Sequence, residues 1–182
     1  MSTLKDLALV AAAGALAAGC ATVADPQPQA RYGLGAPLTD RELAGWNIDV
    51  APDGKGLPPG RGTVAEGKAV FDGKCAVCHG AKGQGKPANA LVGGALKPPK
   101  MVKTVGSYWP YATTLYDYVH RAMPWNKPQS LTPNEVYAVC AYILHLNGIV
   151  PETAVMDATT LPKVRMPNRD GFVSPDPRPD TP

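Results

Sequence analysis

Thr63-Val-Ala-Glu-Gly-Lys-Ala-Val-Phe-Asp-Gly-Lys-Cys-Ala-Val-Cys-His79 is the stretch that decides how this 182-residue chain reads. Its last five residues set two thiols three positions apart with an imidazole directly after the second. Thiols at that spacing can add to the two vinyl groups of one haem. The next residue then lies under the iron as proximal ligand. A CxxC pair alone would serve equally as a redox dithiol or half a zinc site. The histidine after Cys78 and the lack of a second CxxC select one covalently bound haem c, held by Cys75, Cys78 and His79. The residues before the motif are helical. Thr63 and Glu66 make a capping box, which opens a helix running to about Lys74. Gly67 and Phe71 share one face of it.

Working outward, Cys75 to Lys86 is broken by Gly80, Gly83 and Gly85, and Pro87 to Met101 is loop. Ser107 to Ala122 holds a second helix, expected to begin around Pro110 and closed by Pro124. Ser130 to Asn147 holds the clearest helix. Thr132 is its N-cap, Pro133 its N1 residue, Glu135 stands at N3, and Gly148 stops it. Val136, Tyr137, Val139, Cys140, Ile143, Leu144 and Leu146 make it broadly apolar, so it packs against much of the core. Cys140 reads as a small apolar core residue.

The flanks differ in kind. Glycine and proline make up 39 of 182 residues, well above the background of roughly 12%. Residues 31–62 carry Tyr32, Leu34, Leu38, Leu43, Trp46, Ile48, Val50 and Leu57, with a short helix expected from Thr39 to Asn47. This is too apolar for a disordered linker and too small for a domain. Residues 151–182 show no clear periodicity. Both flanks read as extensions draped over the core or over a partner. The N-terminus reads as a targeting segment: Lys5, then an apolar run from Leu7 to Ala18, too short for a membrane span. Leu16-Ala-Ala-Gly-Cys20 reads as a lipoprotein cleavage box with Cys20 lipidated, and ordinary cleavage near Ala18 or Ala24 is the alternative. The expected organisation is a signal peptide at 1–19, a tether and N-terminal extension at 20–62, a haem domain at 63–150 and a C-terminal extension at 151–182. The expected location is the bacterial periplasm, attached to a membrane by the lipid.

Charge follows the same division. Residues 63–150 hold nine basic and four acidic side chains, and each flank carries a net charge of −1. A basic face of that size can steer docking to an acidic redox partner. No basic run interleaves with aromatics, so nucleic acid is not an expected partner.

The arrangement around Cys75-Ala-Val-Cys-His79 resembles class I cytochromes c. The resemblance implies an all-α fold of three to five helices around one haem, with long irregular extensions at both ends. It implies that Gly67 and Phe71 cross an aromatic on the last helix, Tyr142 or Tyr137. A sixth iron ligand is also required. Met101, Met123, Met156, Met166, His120, His145 and Cys140 are the candidates, and Met123-Pro124 stands where that family places its axial methionine. Ligation by His79 and Met123 leaves no open iron position for a substrate. Lys103, Tyr108, Trp109, Tyr111, Arg121 and Trp125 bracket this region. Some of them are expected to pack on the porphyrin or bind its propionates.

The flanks narrow the resemblance. Tyr32-Gly-Leu-Gly-Ala-Pro37, Trp46-Asn-Ile-Asp-Val-Ala-Pro-Asp-Gly-Lys-Gly-Leu-Pro-Pro-Gly60 and Lys103-Thr-Val-Gly-Ser-Tyr-Trp-Pro-Tyr-Ala112 are similar to segments of one group. So are Arg121-Ala-Met-Pro124, Leu161-Pro-Lys-Val-Arg-Met-Pro-Asn-Arg-Asp-Gly-Phe172 and Arg178-Pro-Asp180. The group is the cytochrome subunits of sulfite and sulfane dehydrogenases, including those of Sox-type sulfur oxidation. Longer members carry two haems, whereas this chain has one haem motif. The resemblance implies a molybdenum-cofactor dehydrogenase subunit as electron donor, and another cytochrome or an oxidase as downstream acceptor. The chain itself would be a non-catalytic electron carrier. The alternatives are an independent lipid-anchored carrier serving a terminal oxidase, and a haem enzyme acting on thiosulfate or peroxide.

Overall fold

The computed structural model describes residues 35–95 and 101–173. The chain divides into two units, Met1–Thr39 and Asp40–Pro182. Of the first, only residues 35–39 are described, and they are exposed without helix or strand. The second unit runs α1 (Asp40–Ala44), β1 (Arg61–Thr63), α2 (Val64–Lys74), α3 (Ala76–His79), α4 (Val105–Tyr108), α5 (Ala112–Ala122), α6 (Pro133–Leu146) and β2 (Val155–Asp157). A 3-10 turn follows at Leu161–Lys163. The helical class is as expected, and α1, α3 and α4 are single turns.

The frame is α2 against α6. Both helices start on complete capping boxes, Thr63 with Glu66 and Thr132 with Glu135. Each box satisfies two backbone donors that the first turn would otherwise leave open. Where the two helices cross, Gly67 faces Ala138. A Cβ on Gly67 would lie 1.9 Å from the Ala138 carbonyl oxygen. Only glycine permits that approach. Four residues on, Phe71 meets Tyr142 edge-to-face with ring centroids 5.3 Å apart. Of the two expected partners, Tyr142 therefore takes this contact. Tyr137 instead stacks on Tyr116 of α5 at 4.6 Å.

The second helix departs from expectation at its start. Pro110 is not its first residue. Thr104 caps a separate turn, α4, and α5 begins at Ala112. Tyr111 between them is held in a backbone bridge to Arg165, and that long-range pairing delays the helix.

The flanks are built into the core. β1 pairs antiparallel with β2, Gly62 opposite Met156. Met156, Leu161 and Met166 are buried with the helices. Val50 and Leu57 pack against the same cluster, and the Tyr137 hydroxyl donates to the Pro58 carbonyl at 2.9 Å. The structure thus shows 48–62 and 149–168 covering the chain's own core. α1 does not: it buries no residue, and Trp46 just beyond it is 81% exposed. The signal segment, Cys20 and Tyr32 lie outside the described residues, as does residue 178 in the tail motif.

Candidate haem site

The haem motif lies across the end of α2. Cys75 closes that helix, its N–H donating to the Phe71 carbonyl, and Ala76–His79 forms one further turn. The loop after it folds back on the motif. The N–H groups of Gly85 and Ala88 donate to the carbonyls of His79 and Cys78, at 2.7 and 2.9 Å. Gly80, Gly83 and Gly85 all take positive φ to make this return, a conformation open to glycine without strain.

The return delivers one contact that decides the chemistry of His79. Its Nδ1 lies 2.8 Å from the Asn89 carbonyl oxygen. A carbonyl only accepts, so Nδ1 carries the proton and donates. Nε2 is then the free lone pair, the tautomer a metal-ligating imidazole needs. Asn89 contributes only its backbone, so no side-chain pattern could have announced it.

The two thiols are unpaired. Burial pushes the Cys75 thiol up to about 11, against a smaller opposing pull from Lys74. Among the described residues no three His, Cys, Asp or Glu side chains converge as a metal cluster. The pair therefore lacks the partners of a zinc site, and the set fits a haem held by thioether bonds.

Met123 caps α5, its N–H donating to the Val119 carbonyl. Its backbone is extended (φ −120°, ψ 148°), as the residue before a proline prefers. It packs half-buried on the core, together with Cys75, Ala76, Leu91 and Trp109. The other candidate ligands are placed differently. Met156 and Met166 are wholly inside the core, and Met101 is 58% exposed. His145 lies in the last turn of α6, its Nδ1 against the Val150 carbonyl at 3.2 Å. Cys140 is buried and free, and burial, with Cys75 nearby, raises its thiol pKa strongly.

Two buried polar atoms have no hydrogen-bond partner among the described residues, the Tyr116 hydroxyl and His120 Nδ1. Both belong to α5, the helix that leads to Met123. Burial also raises the Tyr116 pKa far above the ordinary phenol range, so its hydroxyl stays a donor.

The residues expected to bracket the haem divide. Trp109 is half-buried, with its ring against Tyr118. Lys103 lies over the Tyr108 ring at 4.6 Å. Arg121 is engaged by Asp49 and Asp117, and Tyr111 stacks under Arg169. Trp125 is 80% exposed.

A helical frame closed around a CxxCH turn defines a c-type haem domain. The cytochrome c family profile matches residues 64–147. A crystal structure of the sulfane dehydrogenase SoxCD from Paracoccus pantotrophus is similar at 44% identity. The match covers 81% of this chain and 74% of that one, with a TM-score of 0.77. A thiosulfate dehydrogenase from Stutzerimonas stutzeri (strain A1501) is 34% identical over 112 residues, 60% of this chain. The chain spans about a third of that relative's length (34%). This chain belongs to the cytochrome c family and binds haem c.

Proposed function

We propose that the protein is the haem-bearing electron-transfer subunit of a molybdenum-dependent dehydrogenase that oxidises sulfite or a sulfane sulfur. The observation that carries this is the extent of similarity. The family profile spans 84 residues, 64 to 147. The likeness to the sulfane dehydrogenase structure covers 81% of the chain, so it reaches well into the flanks, which a generic haem domain does not share.

In this reading Cys75 and Cys78 would hold the haem, and His79 Nε2 and Met123 would be its iron ligands. When bound, the haem supplies a one-electron couple. The protein's part is to fix both ligands, which excludes substrate and keeps rearrangement on electron transfer small. α1 and Trp46 leave apolar surface unburied, which suits a docking contact. An acceptor such as another cytochrome or an oxidase would take the electron onward. Export through residues 1–19 and lipidation at Cys20 belong to the same proposal. No helix among the described residues is long and apolar enough to cross a membrane.

Purification of the native protein tests the assignment. A molybdenum subunit should accompany it, and sulfite or a sulfane substrate should reduce its haem through that subunit. Isolation as a monomer that several unrelated donors reduce equally well would overturn the reading in favour of an independent carrier.

A further inference from the structure

The polypeptide after Met123 gives the ligand little hold. Residues 125–130 are exposed, and the Lys127 N–H makes only a local contact, to the Pro124 carbonyl. The position of Met123 is therefore set from upstream, by α5.

α5 is in turn held by residues outside 63–150. Val50 N–H donates to Asp117 Oδ1 at 3.0 Å. Asp117 Oδ2 takes the Arg121 guanidinium, whose second arm reaches Asp49 at 2.8 Å. Thr113 Oγ1 donates to the Pro52 carbonyl. The loop presenting these groups is pinned by Gly56, at φ +92°, where a Cβ would lie 2.0 Å from the Asp49 carbonyl oxygen. At the other end of α5 the tail holds Tyr111 through the Arg165 bridge and the Arg169 stack.

These contacts are unequal. The Asp49 side chain is 74% exposed, and an ion pair in water contributes little. The Asp117 side chain is only 15% exposed and accepts from a backbone amide and a guanidinium at once. Charge-assisted bonds in that setting are the strong ones.

We propose that Asp117, with Arg121, is a positioning residue for the iron ligand Met123. It clamps α5 to the 48–53 loop, so the segment preceding the haem domain is part of the haem's ligation. This rests on the reading of Met123 as ligand, and not on the identity of the redox partner.

The test uses the full haem-loaded chain in the ferric state. Imidazole is titrated as a competitor for the methionine position, and the thioether-to-iron charge-transfer band is followed with temperature. Asp117→Ala should raise imidazole affinity about tenfold, equivalent to about 1.4 kcal/mol. Its band should fade below the temperature of global unfolding. Asp117→Asn keeps an acceptor for Val50 N–H but loses the charged partner of Arg121, and should raise imidazole affinity by less than Asp117→Ala does. Thr132→Ala weakens the cap of α6 without touching α5, and should leave imidazole affinity unchanged. Should Asp117→Ala fail to fold, Asp117→Asn carries the test, with its smaller rise in imidazole affinity set against an unchanged Asp49→Asn, whose exposed ion pair contributes little. Met123→Ala separates the two readings, since it should abolish the band at all temperatures. A band that survives Met123→Ala overturns the ligand assignment. A band lost there, with wild-type imidazole affinity in the Asp117 variants, overturns the clamp. Equal shifts in Asp117→Ala and Thr132→Ala would also overturn it, reducing Asp117 to general stability.

Discussion

Gly67→Ala and Gly73→Ala are the same chemical change on the same helix, and the structure assigns them opposite signs. Alanine is the better helix former by about 0.8–1 kcal/mol in a helix interior, so propensity alone favours both. At Gly73 a Cβ meets nothing within 4 Å, and the propensity gain stands, reduced near the helix end to about 0.5 kcal/mol. At Gly67 the new Cβ would lie 1.9 Å from the Ala138 oxygen, 2.5 Å from its carbonyl carbon and 2.8 Å from Tyr142 Cβ. Two of the three are backbone atoms, so no rotamer change relieves them. α2 and α6 must separate by an ångström or more. Overpacking of this kind costs about 1–3 kcal/mol. Separation also weakens the Phe71–Tyr142 pair, worth about 0.5–1.5 kcal/mol beyond its buried area. Subtracting the propensity gain leaves a net loss of about 1–3 kcal/mol. At roughly 2–4 °C per kcal/mol for a domain of this size, Tm should fall by about 2–12 °C. Gly73→Ala should hold or slightly raise it. Denaturant and thermal unfolding of the haem-loaded ferric protein, followed by far-ultraviolet circular dichroism, give the free energy and Tm for each variant. If Gly67→Ala is as stable as Gly73→Ala, the close approach at Ala138 is not what frames this fold.

Two further expectations follow from local contacts. Thr132→Ala removes the side-chain acceptor for the Glu135 N–H and one half of the capping box of α6, so denaturant titration should register a loss of about 1 kcal/mol. Asp157 is held down to about 2 from its ordinary 3.8, first by the Thr159 hydroxyl and then by the Thr160 and Thr159 amides. A depressed carboxyl contributes stability above its unfolded pKa and loses it as pH falls through the folded one. Asp157→Asn should therefore flatten the decline in stability between about pH 4 and 2 in an acid titration, and an unchanged slope would mean the Asp157 turn does not contribute to it.

What the sequence made legible was local. The capping boxes at Thr63 and Thr132 act over four residues, and both helices begin where those residues put them. The Cys75-to-His79 spacing names its cofactor because the chemistry acts over five. What escaped was set by distant partners. β1 and β2 are three-residue strands too short to show alternation, and they meet across the whole haem domain. Arg121 reads as a candidate propionate ligand until Asp49 and Asp117 are seen to occupy it. The Asn89 carbonyl that fixes the His79 tautomer belongs to a residue whose identity is immaterial to the contact.

The flanks show how one segment can satisfy two demands. They look surplus to a haem protein, rich in proline and glycine and without periodicity. Their inner side is nevertheless core: Val50 and Leu57 pack on the helices, Met156, Leu161 and Met166 are buried, and Pro58 accepts the Tyr137 hydroxyl. Such a segment needs no regular helix or strand, because its backbone groups are paired one at a time by side chains of the domain, Asp117, Thr113, Asn134 and Tyr137 among them. Proline suits it, since a position with no donor to satisfy needs no partner. Glycine suits it where the chain must turn tightly, as at Gly56. The same one-to-one pairing ties its sequence to the surface of α5 and α6. Trp46, exposed, stands three residues before Asp49, which Arg121 holds. A partner that docks at Trp46 therefore docks on the segment whose other side fixes the helix of Met123, which gives these flanks a reason to be specific to one kind of complex.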